Sequence, residues 1–265
     1  DPHGDTMRNS GKKLARLAQA VLLVCSATVS LAAAGESAID PKAVERLKTS
    51  MDFLSSQQRF SLLTSTTIEA VLTNGQKIQF DNLIAATVQR PNKFHARRLG
   101  DLVNQEFFYD GRSLTLQDVT AGYHASVEAP ETLEGMLDFA RDRLDIVAPA
   151  QDFIHKDAFS ILMDGVESAM HLGASYVEGE ICDHLAFSAP DNGTDWQIWI
   201  QRGDQPLPRR IVITSRDILN APQVAVHIRE WDLSPDPPED LFEFNVSDST
   251  TEIEFILLNP GESQQ

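Results

Sequence analysis

Short runs of alternating apolar and polar residues, separated by turn residues every ~8–12 positions, make up most of this chain, the pattern of an all-β fold. Two stretches break the alternation. The first opens at Asp40-Pro41, an N-cap followed by Pro at the first helical position. Val44, Leu47, Met51 and Leu54 then recur at spacings of three and four, which predicts a helix to about Ser55. Strands follow over Phe60–Thr73 and Gln76–Gln89, joined at Asn74-Gly75, the strongest short hairpin signal. Arg90-Pro91-Asn92 interrupts, and strands are expected over Lys93–Leu99, Asn104–Tyr109, Ser113–Gln117 and Tyr123–Glu128, with Gly100-Asp101, Asp110-Gly111 and Ala121-Gly122 at the turns. The second break comes after Pro130. There Leu133, Met136, Leu137, Ala140, Leu144 and Val147 return to helical spacing, Glu134, Asp138, Arg141, Asp142 and Asp145 take the other face, and Pro149 stops the run. Phe153, Ile154, Phe159, Ile161 and Leu162 suggest another helical turn. A helical pair inserted in the middle of a sheet has to lie over one of its faces, as a plug or as a lid.

Strand patterns resume at Glu167–Leu172, Ala174–Val177 and Ile181–Ala189. Asp195–Gln201 and Arg209–Thr214 then flank a loop holding Gly203, Pro206 and Pro208, a hairpin with a long connection. On its first strand Trp196, Ile198 and Ile200 point one way and Gln197, Trp199 and Gln201 the other, so a Trp stands on each face. That predicts a sheet covered on both sides, or curved around something. The tripeptide Arg202-Gly203-Asp204 reads as a turn. Gln223–Trp231 gives one more strand, Ser234–Pro238 a Pro-rich crossing, Pro238–Leu241 a helical turn and Phe242–Val246 a last strand, with fraying after Asn259. No repeat or interdomain linker is evident.

The N-terminus changes the picture. Residues 1–6 precede Met7, after which Arg8, Lys12, Lys13 and Arg16, the apolar run Leu17–Leu31 and Ala32-Ala33-Ala34 form an export signal with cleavage expected after Ala34. The apolar run is short for a membrane span and is interrupted by Gln19, Ser26, Thr28 and Ser30. Lipidation at Cys25 is disfavoured by the bulky Val24 before it. The expected organisation is thus residues 1–34 as upstream sequence and signal peptide, and residues 35–265 as one periplasmic domain. Removing four basic and two acidic side chains from 22 and 39 leaves 18 and 37, a formal charge of −19. Such a charge repels nucleic-acid phosphates and anionic headgroups, and leaves a basic partner as the one that charge could steer. Only Cys182 remains after cleavage, so no internal disulfide is possible and the fold must hold through its core.

Candidate chemistry is sparse. The chain has no Gly-rich phosphate loop, no His-Glu-x-x-His, no paired-Cys motif and no nucleophile elbow, and His95, His124, His155, His171, His184 and His227 are scattered at spacings that suggest no metal site. Cys182-Asp183-His184 is the nearest approach to a constellation, with Cys182 and His184 on one face of a strand. Neighbours along one strand rarely reach nucleophile-base geometry, so a buried Cys and a hydrogen-bonded His are expected, and no enzyme. Trp196, Trp199 and Trp231, with Phe108 and Tyr109, could line a cavity or fill a core.

At Arg90-Pro91, Phe108-Tyr109-Asp110-Gly111, Asp183-His184-Leu185, Asp195–Ile200 and Pro206-Leu207-Pro208-Arg209, the chain resembles an uncharacterised bacterial family of periplasmic proteins. The resemblance runs from about Asp40 to Phe244, and the run Asn245–Asp248 departs from the Pro-rich ending expected there. The family is similar in fold to the lipoprotein-localisation carriers. The resemblance implies a strongly curved antiparallel sheet, an open half-barrel of mainly β class, with an N-terminal helix and a central helical insert over its concave face. With the lid-like helix Leu133–Val147 and the absence of a catalytic set, that architecture leads to the expectation of a monomeric periplasmic binding protein holding a lipid, an acyl chain or a similar hydrophobic ligand, without cofactor or metal. Cavity-lining residues are expected among Phe108, Met136, Leu137, Trp196, Trp199 and Trp231. The competing expectation is an interaction or envelope-sensor module with a filled core.

Overall fold

In a computed structural model that describes residues 39–146, 148–246 and 250–258, the chain forms one open, curved sheet with helices on its inner face. A first meander consists of β1 (Arg59–Val71), β2 (Lys77–Gln89), β3 (Lys93–Gly100), β4 (Asn104–Tyr109), β5 (Ser113–Asp118) and β6 (Tyr123–Glu128). A second consists of β7 (Ser168–Val177), β8 (Glu180–Ala189), β9 (Thr194–Gln201), β10 (Pro208–Ser215) and β11 (Gln223–Asp232). Antiparallel pairing of β1 with β11 joins the two meanders. The two-residue β12 (Thr251–Glu252) adds parallel to β6, giving the order β12-β6-β5-β4-β3-β2-β1-β11-β10-β9-β8-β7. Its two edge strands, β12 and β7, do not meet, so the sheet stays open.

Registers carry the alternation across the sheet. On the inner face Phe60, Leu62 and Thr64 of β1 lie opposite Val88, Ala86 and Ile84 of β2, which in turn lie opposite Phe94, Ala96 and Arg98 of β3. Trp196, Ile198 and Ile200 share that face in the other half of the sheet, where the whole apolar set packs into one core. A one-residue slip would turn every one of these side chains to solvent, which is why the pattern fixes the register so firmly.

Each half of the inner face carries its own helix. The first, α1 (Pro41–Ser56), begins where the Asp40 carboxylate accepts a hydrogen bond from the Lys42 N–H at 2.9 Å. It buries Ala43, Leu47, Met51 and Leu54 against Leu185, Phe187, Trp196 and Ile198. Helix α2 (Leu133–Leu144) begins where Thr132 Oγ1 accepts from the Gly135 N–H at 3.1 Å, and it buries Leu133, Met136, Leu137 and Ala140 over Phe60, Val88, Tyr109 and Leu114. It ends before the Val147 its spacing suggested, because Asp145 turns left-handed at φ 54° and the Ile146 N–H closes on the Ala140 carbonyl. Val147 itself lies outside the described residues. A 3₁₀ turn (Gln151–Ile154) and the short α3 (Ala158–Met163) complete the insert.

Two expectations need correction. Glu167–Leu172 and Ala174–Val177 form one strand, β7, whose register shifts at Gly173 (φ 100°), a bulge rather than a break. Phe242–Val246 is not a strand. Phe242 ends a 3₁₀ turn and is buried, while the Phe244 ring packs on Phe108 and His124 of the outer face at 5.4 and 4.8 Å, so this segment is held by side chains and not by a ladder. The signal peptide, Cys25, the cleavage point and the residues after Asn259 lie outside the described residues. No described helix is long and apolar enough to cross a membrane.

Candidate functional site

A cavity of about 120 Å³ separates α2 from the sheet. Phe60, Leu62, Ala86, Phe94, Ala96 and Phe107 form its floor, Met136, Leu137 and Ala140 of α2 its roof, and Ile146, Ala148-Pro149-Ala150 and Phe153 one side. Ile228 and Trp231 close it toward the packed half. The Trp231 indole N–H donates to the Pro208 carbonyl at 2.8 Å, which satisfies its one polar atom and leaves the ring as wall. Among the described residues, Thr64, Arg98 and Gln151 are the only lining side chains with polar groups beyond the indole. An apolar void of ~150 Å³ takes up a benzene ring, so this somewhat smaller one has room for a short run of methylenes as it stands.

Small residues make the room. Ala86, Ala96, Ala140, Ala148 and Ala150 line it alongside the bulkier Phe60, Phe94 and Trp231. The roof is tied down at one end by Arg90, whose side chain is 1% exposed. Its Nε–H donates to the Gln57 carbonyl (3.2 Å), Nη1 to Glu134 Oε1 (2.9 Å) and Nη2 to the Ile154 carbonyl (2.6 Å). Burial lowers the pKa of this guanidinium and the Glu134 carboxylate opposes that fall. Tyr109, beneath the same end, donates its hydroxyl to the Pro130 carbonyl at 2.5 Å. Burial, helped by Asp110, Glu131 and Glu134, pushes its pKa up to about 12.

Of the residues expected at a cavity, Met136, Leu137 and Trp231 lie on this wall. Trp196 shares the inner face but stands in the other half of the sheet, stacked on Phe187 with ring centroids 4.0 Å apart, where it lines a second, more polar pocket of about 230 Å³ with Phe153, Leu162 and Ile211. Phe108 and Trp199 point from the outer face, Phe108 against His95 and Phe244, and Trp199 between the His184 ring (4.1 Å) and the Arg210 guanidinium (4.7 Å). Phe107, one residue before Phe108, supplies the lining instead. Phase along β4 decides this, since Phe107 pairs with Ala96 and Phe108 with His95.

Cys182, Asp183 and His184 do not converge on a cleft. Cys182 is fully buried on the outer face with Val177, Trp199 and Val212, and burial first of all pushes its thiol up to about 11, far from a thiolate. His184 hydrogen-bonds Gln197 at 3.0 Å, and burial lowers its pKa. Asp183 points inward. Arg202 holds it through Nε and Nη2 at 2.8 and 2.7 Å, His171 sits 3.2 Å away, and Arg46 of α1 comes within 2.9 Å. Burial alone would raise the Asp183 pKa, but the bonds from Arg202 and His171 outweigh it and hold the carboxyl below its usual value. This is an ion-pair brace between α1 and the edge of the sheet. Among the described residues, no group of three or more His, Cys, Asp or Glu side chains could hold a metal ion.

Solved structures of low sequence identity are similar to the chain. LprF from Mycobacterium bovis matches with a TM-score of 0.48 and 15% identity, over 77% of this chain and 98% of that one. The lipoprotein LppX from Mycobacterium tuberculosis matches at 0.42 and 15%, over 74% and 98%. A LolA superfamily protein from Nitrosomonas europaea matches at 0.37 and 10%, over 76% and 97%. No curated protein matches significantly. Residues 43–256 match the family described as "Predicted periplasmic protein (DUF2092)", and the chain belongs to that family.

Proposed function

We propose that this periplasmic protein is a non-enzymatic carrier that holds a lipid, an acyl chain or a similar hydrophobic ligand beneath α2. The observation that carries the reading is the void itself, walled almost wholly by apolar side chains under a helix fixed at one end. Each methylene moved from water into such a site contributes ~0.8 kcal/mol, so a modest length of chain offsets the cost of association. Met136, Leu137 and Trp231 are the wall residues in contact with the ligand. Trp196 acts as packing, and Phe108 and Trp199 serve the outer face. Export uses the signal peptide, with cleavage after Ala34, and the mature protein acts as a monomer without cofactor or metal.

Native mass spectrometry of the protein recovered from periplasm tests the reading. A co-purifying mass that extraction identifies as lipid, together with uptake of N-phenyl-1-naphthylamine by the delipidated protein, is the expected result. A bare protein that also fails to take up the probe removes the carrier reading. It leaves the interaction module, for which salt-dependent capture of a basic periplasmic partner would be the signature.

A further inference from the structure

Among the described residues, Arg98 is the one charged side chain on the cavity wall. It stands on the inner face of β3, level with Thr64 and Ile84, two rows from the fully buried end formed by Phe60 and Val88. Its Nε–H donates to Asn82 Oδ1 at 2.9 Å, and Asn82 is 6% exposed, so the guanidinium is oriented by a buried neighbour. Among the described residues, the remaining donors on Nη1 and Nη2 have no acceptor and no carboxylate within 4.0 Å. By contrast Arg46 and the more deeply buried Arg90 each have an acidic partner. A half-buried cation without a counter-ion is costly unless something that enters the site neutralises it.

We propose that Arg98 anchors the carboxylate of a single-chain fatty acid whose tail lies along the cavity, a proposal that rests on the carrier reading above. A guanidinium fork matches a carboxylate in plane, through two parallel N–H···O bonds. The site holds one positive charge, which neutralises one carboxylate. A phosphate monoester brings a charge of about −1.5 to −2 and would leave the remainder unpaired in an acidic protein. From Arg98 to Phe94 the strand advances four residues, ~13 Å at ~3.3 Å each, and the void of about 120 Å³ along it takes the part of the acyl chain nearest the carboxylate. Ala96 and Ala86 line the void between those ends.

Binding of dodecanoate, dodecanol and dodecyl phosphate to the full mature chain, followed by calorimetry and by Trp fluorescence, tests this. Wild-type protein should bind dodecanoate about tenfold or more tighter than dodecanol, the difference a charge-assisted hydrogen bond makes. Arg98→Met should bring dodecanoate down to the dodecanol level and leave dodecanol unchanged, the retained dodecanol binding showing that the variant is folded. Arg98→Lys should recover part of the difference. If dodecanol and dodecanoate bind wild-type protein equally, or Arg98→Met leaves the difference intact, the anchor is overturned while the carrier reading stands. Tighter Arg98-dependent binding of dodecyl phosphate than of dodecanoate overturns the choice of carboxylate. If no amphiphile binds at all, the carrier reading falls and takes the anchor with it.

Discussion

Replacing Arg90 by Met should be among the most damaging single changes outside the apolar cores. The guanidinium links four pieces of chain that are otherwise separate: the C-cap of α1 at Gln57, the β2–β3 turn, the first turn of α2 at Glu134 and the 3₁₀ turn at Ile154. Hydrogen bonds made by a charged group contribute ~1.5–3 kcal/mol each, but part of their sum offsets the cost of burying the cation. Removing one partner of a buried pair costs ~3–5 kcal/mol. Glu134 keeps 22% of its side-chain surface, so water can reach the carboxylate left behind and the lower end applies, ~3 kcal/mol. For a domain of this size that corresponds to a fall in Tm of about 6–12 °C. Urea unfolding of the wild type, Arg90→Met, Glu134→Gln and the double variant would separate the ion pair from the two carbonyl contacts. Arg90→Lys should rescue little, because an ammonium cannot reach three acceptors spread around a planar fork. A loss below ~1 kcal/mol for Arg90→Met, or unchanged hydrogen-exchange protection over residues 133–154, would refute the view that this residue pins the roof.

Three further outcomes follow from the same geometry. Ala96→Leu, which places a larger side chain in the middle of the cavity floor, should abolish uptake of a hydrophobic probe at a stability cost of ~1–3 kcal/mol, whereas Trp199→Phe on the outer face should leave uptake unchanged; equal effects of the two on probe fluorescence would contradict the assignment of faces. Asp183 has a folded-state pKa below its unfolded value, so it contributes stability that is fully present above the unfolded pKa and lost as pH falls through the folded one; acid titration of unfolding should therefore show a steeper loss in wild type than in Asp183→Asn, and parallel curves would count against the brace. Cys182, its thiol raised to about 11 inside a packed cluster, should resist Ellman's reagent at pH 8 in the folded protein and react after urea unfolding, with peptide mapping assigning the label; rapid labelling of the native chain would mean that this cluster opens readily.

The alternation of apolar residues made most of the sheet legible, because period and turn chemistry agree locally. Asn74-Gly75 joins β1 to β2, and Asp40-Pro41 starts α1, where the sequence alone placed them. The order in which the strands pair was less accessible. No local feature states that β11 returns to lie beside β1, a contact between residues more than 150 positions apart. The wall of the cavity was partly hidden for a different reason. Aromatic residues attract attention by size, yet Phe107 and Phe108 are adjacent and identical, and only their cross-strand partners, Ala96 and His95, decide which of them faces inward. Arg98 was missed because a charged residue in a strand ordinarily marks the solvent face, and its neighbour Arg97 is indeed exposed.

The uneven filling of the inner face explains why a cavity forms where it does. Helix α1 has four turns and lays Leu47, Met51 and Leu54 onto Leu185, Phe187 and Ile198, with Phe153 and Ala158 in the same core. Helix α2 is a turn shorter, and its last buried position, Ala140, lines the cavity together with Ala86 and Ala96. Two surfaces that meet through alanines cannot close without moving the backbones nearer, and the backbones are held. Arg90 fixes one end of the roof and the Asp145 reversal the other, while ladder hydrogen bonds fix the floor. Close packing is the default inside proteins, so a void held open from both sides forgoes dispersion contacts that larger side chains would recover. Filling variants such as Ala96→Leu therefore separate two accounts of that void. A gain in stability would show that the space was free to be filled, whereas a loss of stability together with loss of probe uptake would show a backbone frame already set to the width of a ligand.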